Sequence, residues 1–483
     1  MVWRHVFCWP PPRCCWNRID RQICACIADN FDVTTDHISR TPPVRRLTSP
    51  KAVVAFVCVG LLAWWLQDVI IPFSKPLWGL FDYQLDLDVY RAGARTVLDG
   101  GNLYEAKLLG QMDYTYAPIS MIVFIPFALM SFEAARIVWS VAILVALYLV
   151  IMFGFKSLGH QVNWRLRIVA LSLVSVMLLL EPVRTTVWYG QINVFLMLLI
   201  LADLLRRMPS AQRGSATSEA AEPRLSGVAT GFAAGIKLTP LIFVLYLVLL
   251  RRWRAAFGVI AGFAATIVVG FVIFPSESWK FWTQTMFDSN RVGMPQTTGN
   301  QSARGALANL IGTDSPNVLL WLATALAALI LGMYAAVLAH RRGQELLALV
   351  LVGMTSCVVS PMSWGHHWVW FVPLAVFGIN LVFDAALSWP RRILAAIALA
   401  GGFLASFAWR EHFAFSMWLV NQTVPESFLT GLFFKNGITW LRWFTVDPYN
   451  CVFIAVAVAT IVVCRTSSGK RATDSSARRG IAW

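Results

Sequence analysis

Apolar positions in this chain are not spaced for one face of a helix or strand. They form runs of 14 to 24 residues, around the roughly 20 that carry a helix across the hydrocarbon layer of a bilayer. The runs lie at 52–71, 132–155, 168–181, 190–205, 255–274, 317–339, 344–360, 368–388, 393–409 and 450–464. A further apolar stretch, 226–250, is interrupted by Gly235-Ile236-Lys237-Leu238-Thr239-Pro240. It is flanked by Arg206, Arg207, Arg213 and Arg224 on one side and Arg251, Arg252 and Arg254 on the other. Basic flanks at both ends predict a hairpin of two short helices with Lys237 near its outer tip. The stretch from Ala117-Pro118 to Met130 fits best as a re-entrant or interfacial piece, because a full crossing there breaks the charge pattern.

These elements predict an all-α polytopic membrane protein of about twelve transmembrane helices. The positive-inside rule orients it. Arg45, Arg46, Lys51, Lys156, Arg165, Arg167, the Arg206–Arg224 linker, Arg251–Arg254, Arg341-Arg342, Arg391-Arg392 and the C-terminal tail with Lys470, Arg471, Arg478 and Arg479 fall inside. Segments 72–131, 182–189, 275–316, 361–367 and 410–449 fall outside. Long connections in compact proteins carry function or are disordered, and the aromatic content of these argues for function. The expected organisation is a disordered basic cytoplasmic tail over 1–51, a membrane domain over 52–464 and a basic cytoplasmic tail over 465–483, in a plasma-membrane protein with both termini inside. The segment before Lys51 has no signal-peptide core, and an extended translation start is the other reading of it.

Composition agrees. The chain is 58% hydrophobic with a mean hydropathy of +0.62, which excludes a soluble domain around one core. Its 22 tryptophans fit interfacial belts or a surface that stacks sugars. The net charge of +15 sits at the ends of apolar runs and in the tails, which excludes nucleic acid as a partner. Five of nine cysteines (Cys8, Cys14, Cys15, Cys24 and Cys26) precede the first run without zinc-ligand spacing.

Polar residues at the outer ends of the runs are the candidates for chemistry. Charged residues are only 13% of the chain, so each acid near an apolar run is informative. Asp86 and Asp88 follow the first run; they share a face if the segment is extended and point about 200° apart if it is helical. The aromatic surroundings, Trp78, Tyr83 and Tyr90, would raise a carboxylate's pKa and make it a usable base, the alternative being a solvated loop. Glu181-Pro182-Val183-Arg184 leads into Tyr189-Gly190-Gln191-Ile192-Asn193, where a guanidinium and amides meet the outer surface. Arg184, Gln191 and Asn193 suit sugar hydroxyls or phosphate, or else cap helix ends. Lys237 inside an apolar stretch calls for an anion or for water, unless it snorkels to the surface. Asn290-Arg291 and Asn300-Gln301-Ser302-Ala303-Arg304-Gly305 offer amides and cations in a long outer loop. Ser360-Pro361-Met362-Ser363-Trp364-Gly365-His366-His367-Trp368 sets two histidines between tryptophans, suited to phosphate, sugar or an interface, and weak as a metal site without further ligands.

Six motifs occur in register: Asp86-Leu87-Asp88-Val89-Tyr90, Thr115-Tyr116-Ala117-Pro118, Tyr189 to Val194, Gly235 to Pro240, Asn300 to Gly305 and Ser360 to Trp368. Together they resemble the polyprenol-phosphate-mannose-dependent α-(1→2)-mannosyltransferases of mycobacterial cell envelopes, within the C-type glycosyltransferase superfamily. The similarity spans roughly 52–464. The resemblance implies a multi-helix enzyme whose outer loops form the active site and which draws on a polyprenyl-phosphate-mannose donor. The acceptor it implies is a glycolipid: phosphatidylinositol mannoside, lipomannan or lipoarabinomannan. It also implies a catalytic aspartate at Asp86, catalytic roles for His366 and His367, and substrate contacts from Asp88, Tyr90, Tyr116, Arg184, Gln191, Asn193, Lys237, Asn300, Gln301, Arg304 and Trp364. No cofactor is expected, metal binding by Asp86 and Asp88 being the alternative. A β-linked donor giving an α product requires inversion by direct displacement. One base then suffices, and Lys237, Arg304 and a histidine are placed to meet the phosphate charge. The competing functions are a polyprenyl-phosphate-arabinose-dependent arabinofuranosyltransferase and a lipid or polyol transporter. A transporter predicts polar groups near mid-membrane and internal repeats, whereas here the polar motifs gather at the outer face.

Overall fold

The structure is a computed structural model that describes residues 46–205, 225–288, 291, 293–411, 428–434 and 441–479. The tail before Arg46 with its five cysteines, the linker 206–224 and Asn290 lie outside the described residues. Helix α1 (Pro50–Ile70) is followed by α2 (Leu85–Leu98), α3 (Ser120–Ala128), α4 (Phe132–Ser157) and α5 (Trp164–Met177). Next come α6 (Glu181–Tyr189), α7 (Asn193–Leu205), α8 (Val228–Ile236), α9 (Ile242–Leu249) and α10 (Trp253–Ile273). Helices α11 (Pro275–Thr283), α12 (Ala303–Ile311), α13 (Val318–Arg341), α14 (Glu345–Val359), α15 (Phe371–Phe383) and α16 (Trp389–Ala405) continue the bundle. Strands β1 (Trp409–Glu411) and β2 (Phe428–Thr430) pair antiparallel with Trp409 opposite Thr430. Helices α17 (Arg442–Thr445) and α18 (Pro448–Arg479) close the chain, the last running well past the expected boundary at 464.

Local chemistry starts these helices where the sequence changes from polar to apolar. Ser49 accepts from Ala52 N ahead of Pro50, Ser131 from Ala134 N, Asn163 from Leu166 N and Asn317 from Leu319 N. Each cap satisfies donors that the helix itself leaves open. Among the described residues, α1, α4, α10, α13 and Pro448–Arg465 of α18 are long and apolar enough to cross a membrane, and α6 with α7 makes a sixth span if the bent pair counts as one. The runs at 168–181, 344–360, 368–388 and 393–409 instead form helices of 14, 15, 13 and 17 residues. Proline punctuation accounts for some of these early ends: Pro182 follows the turn after α5, and Pro361 follows α14.

Helix α14 is buried on every side from Glu345 to Val358 and forms the centre of the bundle, packed by α13, α15 and α18. Its one acid is satisfied: Glu345 accepts from Tyr246 OH at 3.0 Å and pairs with His340 Nδ1 at 2.5 Å. The interrupted stretch 226–250 forms two short helices, α8 and α9, with Lys237 at the break between them. Helix α8 lies directly on α10 through Gly231, Gly235, Gly258 and Gly262, where a Cβ would strike the facing backbone or Thr266. Such stripes of small residues let helices meet in lipid, where no hydrophobic effect draws them together. Asp203 of α7 caps the start of α8, accepting from Gly227 N at 3.1 Å, Thr230 N at 3.0 Å and Thr230 Oγ1 at 3.0 Å.

Helices α6 and α7 are bent by 117° across the residues between them. Gly190 makes the bend, with φ at 73°. A Cβ there would lie 2.8 Å from Leu87 Cβ, and the Gly190 carbonyl accepts from Trp139 Nε1 at 2.8 Å. Gly190→Ala is therefore expected to destabilise the fold by about 1–2 kcal/mol from left-handed strain, with crowding of Leu87 in addition. The measurement is thermal unfolding in detergent. An unchanged midpoint contradicts this account of the bend.

Candidate active site

Asp86 lies in the first turn of α2, where the unpaired N–H groups of a helix start favour a carboxylate. Gln84 fixes that start. Its backbone N donates to Trp188 O at 2.7 Å, and its Nε2 donates to Ser140 Oγ at 2.8 Å and Val187 O at 3.0 Å. The start of α2 is thereby held against the end of α6, and the Gly190 bend brings Gln191 onto Asp86. Gln191 Nε2 donates to Asp86 Oδ2.

From Gln191 the polar contacts continue inward. Gln191 Oε1 accepts from Tyr116 OH at 3.1 Å and from Asn193 Nδ2 at 3.4 Å. Asn193 Nδ2 also donates to the His366 carbonyl at 2.9 Å, and Lys237 Nζ donates to Asn193 Oδ1 at 2.9 Å. The Lys237 ammonium sits 5.6 Å from the centre of the Tyr116 ring, and the hydroxyls of Tyr90 and Tyr116 meet at 3.1 Å. Asp86, Tyr90, Tyr116, Gln191, Asn193, Lys237 and His366 thus come together from five separate stretches of sequence. His367 joins them by lining a cleft of about 470 Å³ with Lys237, Asn193, Thr239, Ser356 and Ser360.

Asp86 is half-buried, with Tyr83, Tyr90, Tyr116 and Tyr189 around it. Burial pushes its carboxyl up to about 7, against the opposing pull of the Gln191 hydrogen bond and the Lys237 charge. Burial first, and then the Lys237 ammonium, holds both imidazoles well below the usual histidine range. At neutral pH they are uncharged hydrogen-bonding groups. Their backbone is fixed as well: the His366 carbonyl also accepts from Thr186 Oγ1 at 3.4 Å, and the His367 carbonyl accepts from Cys357 Sγ at 3.3 Å. The His366 ring packs edge-on against Tyr189, 5.9 Å between centres. The turn that carries both needs Gly365, since a Cβ there would lie 2.4 Å from the carboxylate oxygens of buried Glu181.

The other sequence candidates are placed differently. Because the segment is helical, Asp88 turns from Asp86 and pairs with Arg91 at 2.8 Å, while Arg91 also donates to the carbonyls of Phe127 and Met130. Among the described residues, no three His, Cys, Asp or Glu side chains converge as metal ligands. Asn300 and Gln301 are buried and tie loops together. Asn300 Oδ1 accepts from Ser363 N at 3.0 Å, Gln301 N donates to Ser363 O at 2.7 Å, and Gln301 Nε2 donates to Val446 O at 2.9 Å. Trp364 packs beside Gly299, where a Cβ would lie 3.0 Å from its ring. The Arg304 guanidinium stacks over Trp321 at 5.1 Å. Arg184 is buried in α6, and its Nη1 has no hydrogen-bond partner.

Sequence reasoning missed Gln84, which sets the position of the Asp86 helix, and Ser356 and Cys357, which line the cleft. Gln84 carried a signal, being a polar residue directly before the acidic motif. Ser356 and Cys357 are small residues inside an apolar run and carried none.

Residues 114–361, just over half of the chain, match the model of glycosyltransferase family 87. A polyprenol-phosphate-mannose-dependent α-(1-2)-phosphatidylinositol mannoside mannosyltransferase of Mycobacterium tuberculosis is 34% identical over 70% of this chain and 80% of its own length. The protein of the same name from Mycolicibacterium smegmatis is 33% identical over 71% of this chain and 81% of its own length. A phosphatidylinositol pentamannoside mannosyltransferase of Mycobacterium tuberculosis, also polyprenol-phosphate-mannose-dependent, is 33% identical over 76% of this chain and 82% of its own length. No solved structure gives a significant match. With a third of the aligned residues identical to these enzymes over most of their length, the chain belongs to glycosyltransferase family 87.

Proposed function

We propose that the chain is an inverting glycosyltransferase that moves mannose from polyprenyl-phosphate-mannose to a phosphatidylinositol mannoside through an α-(1→2) linkage. One observation carries this reading: a half-buried carboxylate, Asp86, and an ammonium, Lys237, are joined through two amides, with Lys237 and Asn193 lining a largely apolar cleft. The relatives' names supply the donor and acceptor classes. In this reading Asp86 is the base that takes the acceptor hydroxyl's proton, and Lys237 meets the negative charge that develops on the departing phosphate. His367, beside Lys237 in the cleft, donates a neutral hydrogen bond to that phosphate, and His366 shapes the turn through its carbonyl. Tyr90, Tyr116, Gln191 and Asn193 line the approach to the base. Asn300, Gln301 and Trp364 hold the surrounding loops in place, and Asp88 fixes α2 through Arg91. Arg184 and Arg304 are assigned no step. The reaction as written requires no cofactor.

We place the protein in the plasma membrane with both termini inside and the cleft facing outward, in a C-type glycosyltransferase architecture. The distribution of basic residues supports this orientation. Among the described residues the five long spans, the bent pair and three shorter apolar helices make nine candidates, and the apolar runs of the sequence support a total of about twelve.

Purified protein in liposomes is expected to consume polyprenyl-phosphate-mannose, and not polyprenyl-phosphate-arabinose, when given a phosphatidylinositol mannoside. It is expected to yield an α-(1→2)-mannosylated lipid. Consumption of the arabinose donor instead contradicts the reading. A base must be ionised to act, so a carboxyl pushed up to about 7 sets an acid limb: transfer falls as pH drops through 7. An acid limb near pH 4, the ordinary carboxylate range, removes Asp86 as a buried base.

A further inference from the structure

The contacts between Lys237 and Asp86 form a chain whose direction is fixed at both ends. Lys237 carries only donors, so its 2.9 Å bond to Asn193 ends on the amide oxygen. Asn193 Nδ2 is then left to donate to the His366 carbonyl at 2.9 Å and to Gln191 Oε1 at 3.4 Å. Gln191 Oε1 receives a second donor, Tyr116 OH at 3.1 Å. With its oxygen occupied, Gln191 turns Nε2 to Asp86 and donates to Oδ2. An ionised carboxylate only accepts, so the far end is fixed too. Neither amide can flip without setting donor against donor and acceptor against acceptor, which leaves buried polar groups unpaired. The Tyr90 hydroxyl, 3.1 Å from that of Tyr116, then donates to it and runs the same way.

We propose that Gln191 and Asn193 are positioning residues that carry the charge state of the phosphate site at Lys237 to the base at Asp86, and that their fixed direction reserves Asp86 Oδ1 for the acceptor's proton. This rests on the reading of Asp86 as base and Lys237 as phosphate partner. In the transfer step the acceptor O–H bond breaks and its proton goes to Asp86 Oδ1. The acceptor oxygen's electron pair forms the new bond to the anomeric carbon. The bond from that carbon to the phosphate oxygen breaks, with its electron pair leaving on the phosphate. Oδ2 takes no proton because it already holds the Gln191 N–H. A phosphate anion at Lys237 weakens the pull of the ammonium on Asn193. The loss passes through Gln191, so Asp86 becomes a stronger base only when the donor is seated.

The groups facing Asp86 are Tyr83, Tyr90, Tyr116, Tyr189, Gln191 and Lys237. Burial holds the phenols of Tyr83, Tyr90 and Tyr116 above their ordinary range, so these phenols do not set an acid limb near neutrality. Gln191→Glu keeps the shape of the side chain and replaces the donor with an acceptor. Its kcat at pH 7 is expected to fall roughly 10- to 100-fold, with KM for polyprenyl-phosphate-mannose within about twofold of wild type. The acid limb of kcat moves to higher pH. Asn193→Ala, one link further from the base, moves the same limb in the same direction by less. A wild-type limb in either variant overturns the proposal. So does a variant that binds donor normally yet transfers nothing at any pH, because the base is still present. Asp86→Asn assayed in parallel separates the claims. Full activity in D86N removes the base itself, whereas an inactive D86N beside wild-type Q191E and N193A removes the chain alone.

Discussion

The hydrogen bond from Gln191 to Asp86 is the contact on which the rest of the site depends. A carboxylate among tyrosine rings at the edge of a membrane bundle is costly to ionise, and a lone one would stay protonated. Gln191 and the more distant Lys237 lower that cost enough to leave Asp86 near the balance point at neutral pH. A fully solvated acid is too weak a base for a sugar hydroxyl, and a fully desolvated one carries a proton and cannot act. The structure sets Asp86 between these limits, and every element around it fixes one part of the setting.

Those parts come from backbone constraints rather than from the polar side chains themselves. Gly190 allows the 117° bend that delivers Gln191. Gln84 pins the start of α2 to Trp188 and Val187. The glycine contact of α8 with α10, together with the Asp203 cap, sets where Lys237 leaves its helix. The Gly365 turn, seated on Glu181, lets the His366 carbonyl reach Asn193. Each of these places a main-chain atom, and the polar side chains of the site follow from it.

Much of this was legible in the sequence. The long apolar runs gave the helical membrane class, and Lys237 and Asn193 stood out because polar groups inside such runs are costly. The break at Gly235–Pro240 was readable as two short helices because basic residues flank both ends. What could not be read was the partner of each polar residue. The resemblance set Asp86 apart from Asp88 without giving either a partner; the helical segment sends one toward Gln191 and the other to Arg91. Asn300, Gln301 and Arg304 had the chemistry of ligands, yet loop carbonyls and Trp321 take them up, a tertiary outcome with no local signature. The short helices at 164–177 and 371–383 ended sooner than their apolar runs, because hydropathy measures composition and not where the backbone turns.

The central claim is that Asp86 removes the acceptor's proton while the donor is bound elsewhere in the cleft. Single-turnover mannose transfer by Asp86→Asn, with donor binding measured on the same preparation, tests it most directly. The account predicts normal donor binding and transfer slowed by about 10²- to 10⁴-fold, the range lost with a general base. Transfer at the wild-type rate with donor normally bound contradicts it.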